Sequence, residues 1–118
     1  MHRYKDLKFW QLSREFCKSI YTFTAIFPEE EKFGLVSQLR RASISIPSNI
    51  AEGASRKSNK DFSRFIEIAL GSCYEVETQL LISNDLNFMS DNHCKELQEN
   101  LEIIIKMMSK FKSTLKEQ

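Results

Sequence analysis

The sequence predicts an all-α fold, an antiparallel up-and-down four-helix bundle, from three observations. Cys94, Leu97, Leu101, Ile104, Met108, Phe111 and Leu115 recur at alternating spacings of three and four, which puts them on one stripe of a helix. Phe62, Ile66 (or Phe65), Ala69, Cys73 (or Ser72), Val76, Leu80 and Ser83 form a second heptad seam. Only three glycines and two prolines occur in 118 residues, as long helices joined by short turns require. A chain of this length is read as a single domain over 1–118.

Helix one is expected from about Asp6 to Phe27, with Asp6 as N-cap. Leu7, Phe9, Trp10, Leu12, Phe16, Cys17, Ile20, Tyr21, Phe23 and Phe27 cover more than half its circumference. Such a helix is either the most buried of the bundle or touches another subunit. Pro28 followed by Glu29, Glu30 and Glu31 reads as the start of helix two, with proline and acids in a first turn. Gly34 leaves that start several residues wide, and Gly53 is a natural C-cap.

Helix two carries Pro47. Proline lacks a backbone donor and clashes with the carbonyl four residues back, here Ser43. The helix is therefore expected to kink at Pro47. Alternation of Ile44 and Ile46 with Ser43 and Ser45 would suit a short strand instead. The helix is preferred because Leu35, Leu39, Ala42, Ile46 and Ile50 keep one stripe across the proline. Ser58 to Asp61 reads as a capping box, with Asp in the place of Glu, opening helix three from Asn59 to about Ser83. Asn84 to Met89 is the next turn, and Ser90 or Asp91 caps helix four.

Beside the apolar stripe of helix two runs a polar one: Gln38, Arg41, Ser45, Ser48, Asn49 and Glu52. Polar groups so near a core need partners in one another, in water or in a second molecule. A structural network joining Arg41 to Glu52 is expected. The two stand about three turns apart, so serines, Asn49, water or another subunit must bridge them.

Net charge is +1, but it is segregated. Lys32 to Arg64 holds seven basic residues (Lys32, Arg40, Arg41, Arg56, Lys57, Lys60, Arg64) against Glu52 and Asp61. Phe65 to Ile105 holds eight acids against Lys95, and Lys106, Lys110, Lys112 and Lys116 crowd the C-terminal end. Local charge governs binding to polyanions. Arg40, Arg56, Lys57, Lys60 and Arg64 are therefore the candidate nucleic-acid contacts, centred on the helix two–helix three connection. Ser55, Ser58 and Asn59 add donors suited to phosphate, and a helix N-terminus attracts it. A solvated loop or a subunit contact with the acidic half is the competing reading.

Little in the chain suggests catalysis. His2, at a terminus expected to fray, and His93 are the two histidines, and neither has a sequence-local partner for nucleophilic work. Glu75 and Glu77 point about 160° apart on a helix, against a metal cluster. Cys17, Cys73 and Cys94 form no CxxC pair and read as small buried hydrophobes. No cofactor, metal or enzymatic activity is expected. No apolar run approaches the roughly 18 residues of a membrane span, and MHRYKDLKFWQ lacks a signal-peptide core. A cytoplasmic location is expected.

DLKFWQLS, FPEEE, GLVSQLRRA, SIPSNIAEG and ALGS occur in that order between Asp6 and Leu80. In these motifs the run resembles the 23S rRNA intervening-sequence proteins. The resemblance implies an antiparallel helical bundle that assembles as a ring-like pentamer, with no established enzymatic activity. It extends to accessory proteins of diversity-generating retroelements, which are basic, bind nucleic acid and act with a reverse transcriptase. Genes of some members lie within insertions in large-subunit rRNA genes. The expectation is a non-enzymatic homo-oligomer that binds nucleic acid, RNA before DNA, with a protein partner such as a reverse transcriptase implied by the resemblance alone. The alternative is a protein-interaction scaffold whose charge segregation drives subunit or partner assembly.

Overall fold

The computed structural model describes residues 2–115. Four helices, α1 (Lys8–Thr24), α2 (Leu35–Ala54), α3 (Asn59–Asp85) and α4 (Asp91–Ser113), account for most of them, and no strand occurs among the described residues. Each helix packs on two neighbours in the cyclic order α1, α2, α3, α4. Contacting residue numbers run oppositely along every pair. Cys17 meets Ser43 and Thr24 meets Arg40 across α1 and α2. Ser45 meets Ser72 and Gln38 meets Gln79 across α2 and α3. Lys112 meets Glu67 across α4 and α3, while Phe9 meets Phe111 and Phe23 meets His93 across α1 and α4. The result is an antiparallel four-helix bundle measuring 49 × 23 × 20 Å.

The periodic seams of α3 and α4 form the core. Phe62, Ile66, Ala69, Cys73, Val76 and Leu80 of α3 are buried against Cys94, Leu97, Leu101, Ile104 and Met108 of α4. From α2 come Leu39, Ala42, Ile46 and Ile50, and from α1 come Phe9, Phe16 and Ile20. Most of the wide apolar arc of α1 is absorbed within the chain, because Leu7, Trp10, Leu12 and Phe23 pack around the rim of this core, while Tyr21 stays exposed.

Five boundaries differ from the sequence expectation, each for a local reason. α1 ends at Thr24 rather than Phe27, and the Phe27 N–H donates to the Thr24 carbonyl in a closing turn. Asp6 closes a short 3-10 turn, Tyr4–Asp6, and α1 starts at Lys8 after an extended Leu7. That turn brings His2 onto the rings of Phe62 and Phe111, at 5.2 and 5.3 Å, so His2 is docked there. Pro28 precedes a second 3-10 turn, Glu29–Glu31, and α2 begins only at Leu35. Glu31 then caps it, its Oε1 accepting from the Leu35 N–H at 3.1 Å. Gly53 lies inside α2, and Ser55 is the cap residue. Finally, α3 runs to Asp85 and closes in a Schellman turn. Asn87 takes φ 62°, while the N–H groups of Phe88 and Asn87 donate to the carbonyls of Ser83 and Asn84.

The helix runs through Pro47, which excludes the strand alternative. The carbonyl that Pro47 leaves without its helical donor is that of Ser43, and the Cys17 thiol donates to it at 3.1 Å. The serine caps read for α3 and α4 hold, unlike Asp6 and Gly53. Ser58 accepts from the Asp61 N–H and Ser90 from the His93 N–H, both at 3.1 Å.

Space explains Gly53. A Cβ there would lie 2.6 Å from Phe65 Cβ and 2.9 Å from a Phe62 ring carbon, so α2 and α3 touch through the missing side chain. A Cβ on Gly71 meets nothing within 4 Å. Opposite outcomes are expected from one chemical change. Gly71→Ala should stabilise by about 0.5–1 kcal/mol through helix propensity. Gly53→Ala should destabilise by about 1–3 kcal/mol through overpacking. Urea denaturation of the two variants reads both signs.

Candidate nucleic-acid interface

The up-and-down topology gathers basic residues that are far apart in sequence. The N-terminus of α1, the α2–α3 connection and the C-terminus of α4 share one end of the bundle. With each helix divided near its middle, the half containing 2–15, 45–70 and 103–115 carries eleven basic residues against five acids. The other half, 16–44 and 71–102, carries five basic residues against ten acids. Lys116 lies outside the described residues.

Local structure sets the basic side chains. α2 ends on Ser55, whose Oγ donates to the Glu52 carbonyl at 2.7 Å. Arg56 then turns back to Glu52 Oε2 at 3.1 Å, with its guanidinium 4.9 Å from the centre of the Phe65 ring. The Ser58 cap starts α3 so that Lys60 and Arg64, four apart, lie one turn above each other. Both are exposed, as is Lys57, and none of the three forms an ion pair among the described residues. Asn59, Lys60, Asp61, Ser63, Arg64, Glu67 and Leu115 line an open cleft of about 430 Å³. Glu67, on this lining, pairs with Lys112 at 3.2 Å.

Arg40 is elsewhere. Its guanidinium stacks over Tyr21 at 4.4 Å, and Nε donates to the buried Thr24 Oγ1 at 3.0 Å. It ties α2 to the C-terminal part of α1 in the other half of the bundle, apart from Arg56, Lys57, Lys60 and Arg64. Sequence reading missed the contribution of Arg3 and Lys5, ahead of α1, and of Lys8 at its start, which only the topology delivers. It also missed the aromatic groups at this end, Phe65 beneath Arg56 and His2 against Phe111.

The polar stripe of α2 lies along the α2–α3 groove. Ser45 Oγ is 2.7 Å from the Ala42 carbonyl and 2.5 Å from Ser72 Oγ. Each hydroxyl has one proton, so Ser45 donates to the carbonyl and Ser72 to Ser45. Asn49 Nδ2 donates to the Ser45 carbonyl at 2.8 Å. Gln79, buried, has Nε2 3.4 Å from Gln38 Oε1 and Glu75 Oε2, leaving its own Oε1 without a partner among the described residues. Gln38, Arg41, Ser48 and Glu52 face outward. Glu52 pairs with Arg56 at 3.1 Å.

Residues 5–110 match the family described as 23S rRNA-intervening sequence protein. The chain belongs to this family. The crystal structure of a protein of unknown function from the S23 ribosomal protein family of Bacteroides thetaiotaomicron superposes with a TM-score of 0.81 at 25% identity, covering 90% of this chain and 99% of that one. No curated protein matches. Neither description names a catalytic activity. Among the described residues no group of three or more His, Cys, Asp or Glu side chains could hold a metal ion, and no helix is long and apolar enough to cross a membrane.

The thiols of this family member are tuned away from reactivity. Burial pushes Cys73 up from 9.0 to about 12, with the Glu77 carboxylate adding to the effect, and burial also raises Cys17 and Cys94. Catalytic cysteines require the opposite shift. Between pH 9 and 12 the unfolded chain ionises at Cys73 while the folded one keeps its proton. Stability should therefore fall with rising pH, by at most about 1.4 kcal/mol per pH unit from this group. Cys73→Ala should be less stable than the parent at pH 7 and narrow or reverse that gap by pH 10.5. Urea midpoints at both pH values measure it, and parallel curves would contradict the shift.

Proposed function

We propose that this protein is a non-enzymatic, homo-oligomeric RNA-binding protein of the cytoplasm that engages RNA through the basic end of its bundle. The observation that carries the reading is the excess of eleven basic residues over five acids in that half, with Lys57, Lys60 and Arg64 exposed and in no ion pair among the described residues. Phosphate contacts need open cations, and these three surround the first turn of α3, whose positive dipole end favours anions. Arg56 is already neutralised by Glu52 and contributes less. The family description, which refers to rRNA, points the same way.

Self-association is supported by the outer face of α3. Ile68, Tyr74, Leu81 and Ile82 are each 43–53% exposed there, and Gly71 leaves open space among them. A run of large apolar side chains along one helix face is the mark of an interface. A ring of copies would repeat the basic end and raise avidity without new contacts. Five copies follow from the family resemblance alone. Arg41, Ser48 and Gln38, outward on α2, would find partners in such a contact.

Two experiments test this reading. In filter binding with mixed single-stranded RNA, Lys57→Gln, Lys60→Gln and Arg64→Gln together should weaken all sequences alike. The log–log salt slope should become shallower by roughly 2, about 0.7 per lost phosphate contact. Arg40→Gln should lower stability and leave that slope unchanged. A triple variant with parental affinity and slope favours the scaffold alternative. In sedimentation equilibrium at micromolar concentration, the parent should be a closed oligomer and Tyr74→Lys with Leu81→Lys a folded smaller species. A monomeric parent would remove the oligomer from the proposal.

A further inference from the structure

The end of the bundle opposite the basic one has a different surface, which the RNA-binding reading does not use. Phe33 is 88% exposed, Ile26 71% and Leu86 52%. Phe33 and Ile26 come from the α1–α2 connection and Leu86 from the end of α3, so all three stand at the same end. The two loops that present them are joined, since the Phe27 and Phe88 rings lie 5.9 Å apart beneath the surface. Both loops are fixed by hydrogen bonds. Glu31 caps α2 on one side, and the Schellman turn at Asn87 holds the other. The surface is therefore formed before any partner arrives.

Around these apolar residues stand Glu29, Glu30, Asp85 and Asp91, all exposed and none in an ion pair among the described residues. Lys32 is the cation closest in sequence to Phe33, and its ammonium lies 5.7 Å from the centre of that ring. Acids set among exposed hydrophobes repel nucleic acid and anionic lipid. They match a protein segment that carries lysines or arginines beside leucine-like side chains. A second copy's basic end offers the charge, but the large exposed hydrophobes of this chain lie mostly on its flanks and at the acidic end.

We propose that the acidic end, with Phe33, Ile26 and Leu86 as anchors and Glu29, Glu30 and Asp85 as the charged rim, docks a basic amphipathic segment of a partner protein. The hydrophobes supply the affinity, and the acids supply orientation and speed of encounter. The protein then has two independent poles, one for a polyanion and one for a polycation with an apolar face.

The test is fluorescence anisotropy with a labelled amphipathic peptide of leucine and lysine, a scrambled peptide of the same composition and a peptide with glutamate for lysine. The parent should bind the first and neither of the others. Phe33→Ser with Ile26→Ser should weaken it roughly tenfold or more. Glu29→Gln, Glu30→Gln and Asp85→Asn together should weaken it and flatten its salt dependence. Lys57→Gln, Lys60→Gln and Arg64→Gln together should leave it unchanged, which separates this site from the RNA end. Both surface variants sit on exposed side chains, and circular dichroism confirms that they fold. Equal binding by the Phe33→Ser, Ile26→Ser variant, or equal binding of the scrambled peptide, overturns the proposal. So does loss of self-association in that variant, which would make a second copy the occupant.

Discussion

The close approach of α2 to α3 governs the rest of the molecule. Two small contacts make it possible, Ser45 against Ser72 near the middle and Gly53 against Phe62 and Phe65 at the end. Because the helices meet so closely at Gly53, the chain reverses within the short connection 55–58, and the Ser58 cap can fix the first turn of α3. That places Arg56, Lys57, Lys60 and Arg64 in a defined cluster at the end of a packed core. The same approach buries Gln79 and gives α2 its hydrophilic flank, with Ser45 paired to Ser72 and Gln79 Nε2 to Gln38 across the groove. Packing, polar pairing and the location of surface charge thus share one geometric cause.

Pro47 shows how a local defect is accommodated by its surroundings. Removing a backbone donor from a helix beside the core leaves a carbonyl to be satisfied. The nearest group on α1 is a thiol, a weak donor that packs like a hydrophobe. Cys17 therefore serves both the apolar interface and the Ser43 carbonyl, and a strongly hydrated side chain could not do the first.

Much of the fold was legible because heptad periodicity is a property of single helices. The seams of α3 and α4, the Ser58 and Ser90 caps and the stripe across Pro47 all appear where the spacing puts them. Boundaries that depended on the next element were not legible. Glu31 caps α2 only because a 3-10 turn carries it there, and Gly53 looked like a helix stop until Phe65 was seen against it. The candidate site divides in the same way. Lys57, Lys60 and Arg64 are close in sequence and remain together. Arg40 is drawn off by Thr24 and Tyr21, which belong to another helix. The apolar face with most exposed surface is on α3, where the sequence drew attention to α1.

The opposed poles give the molecule a property that its formal charge of +1 conceals. Backbone helix dipoles cancel in pairs in an antiparallel bundle, so the asymmetry belongs to the side chains, spread along a 49 Å axis. A nearly neutral particle of this kind feels a torque in a field before it feels a net pull. It will be held by cation and anion exchangers alike at low ionic strength. Near a charged polymer it turns before it touches, arriving end-on with its orientation already selected.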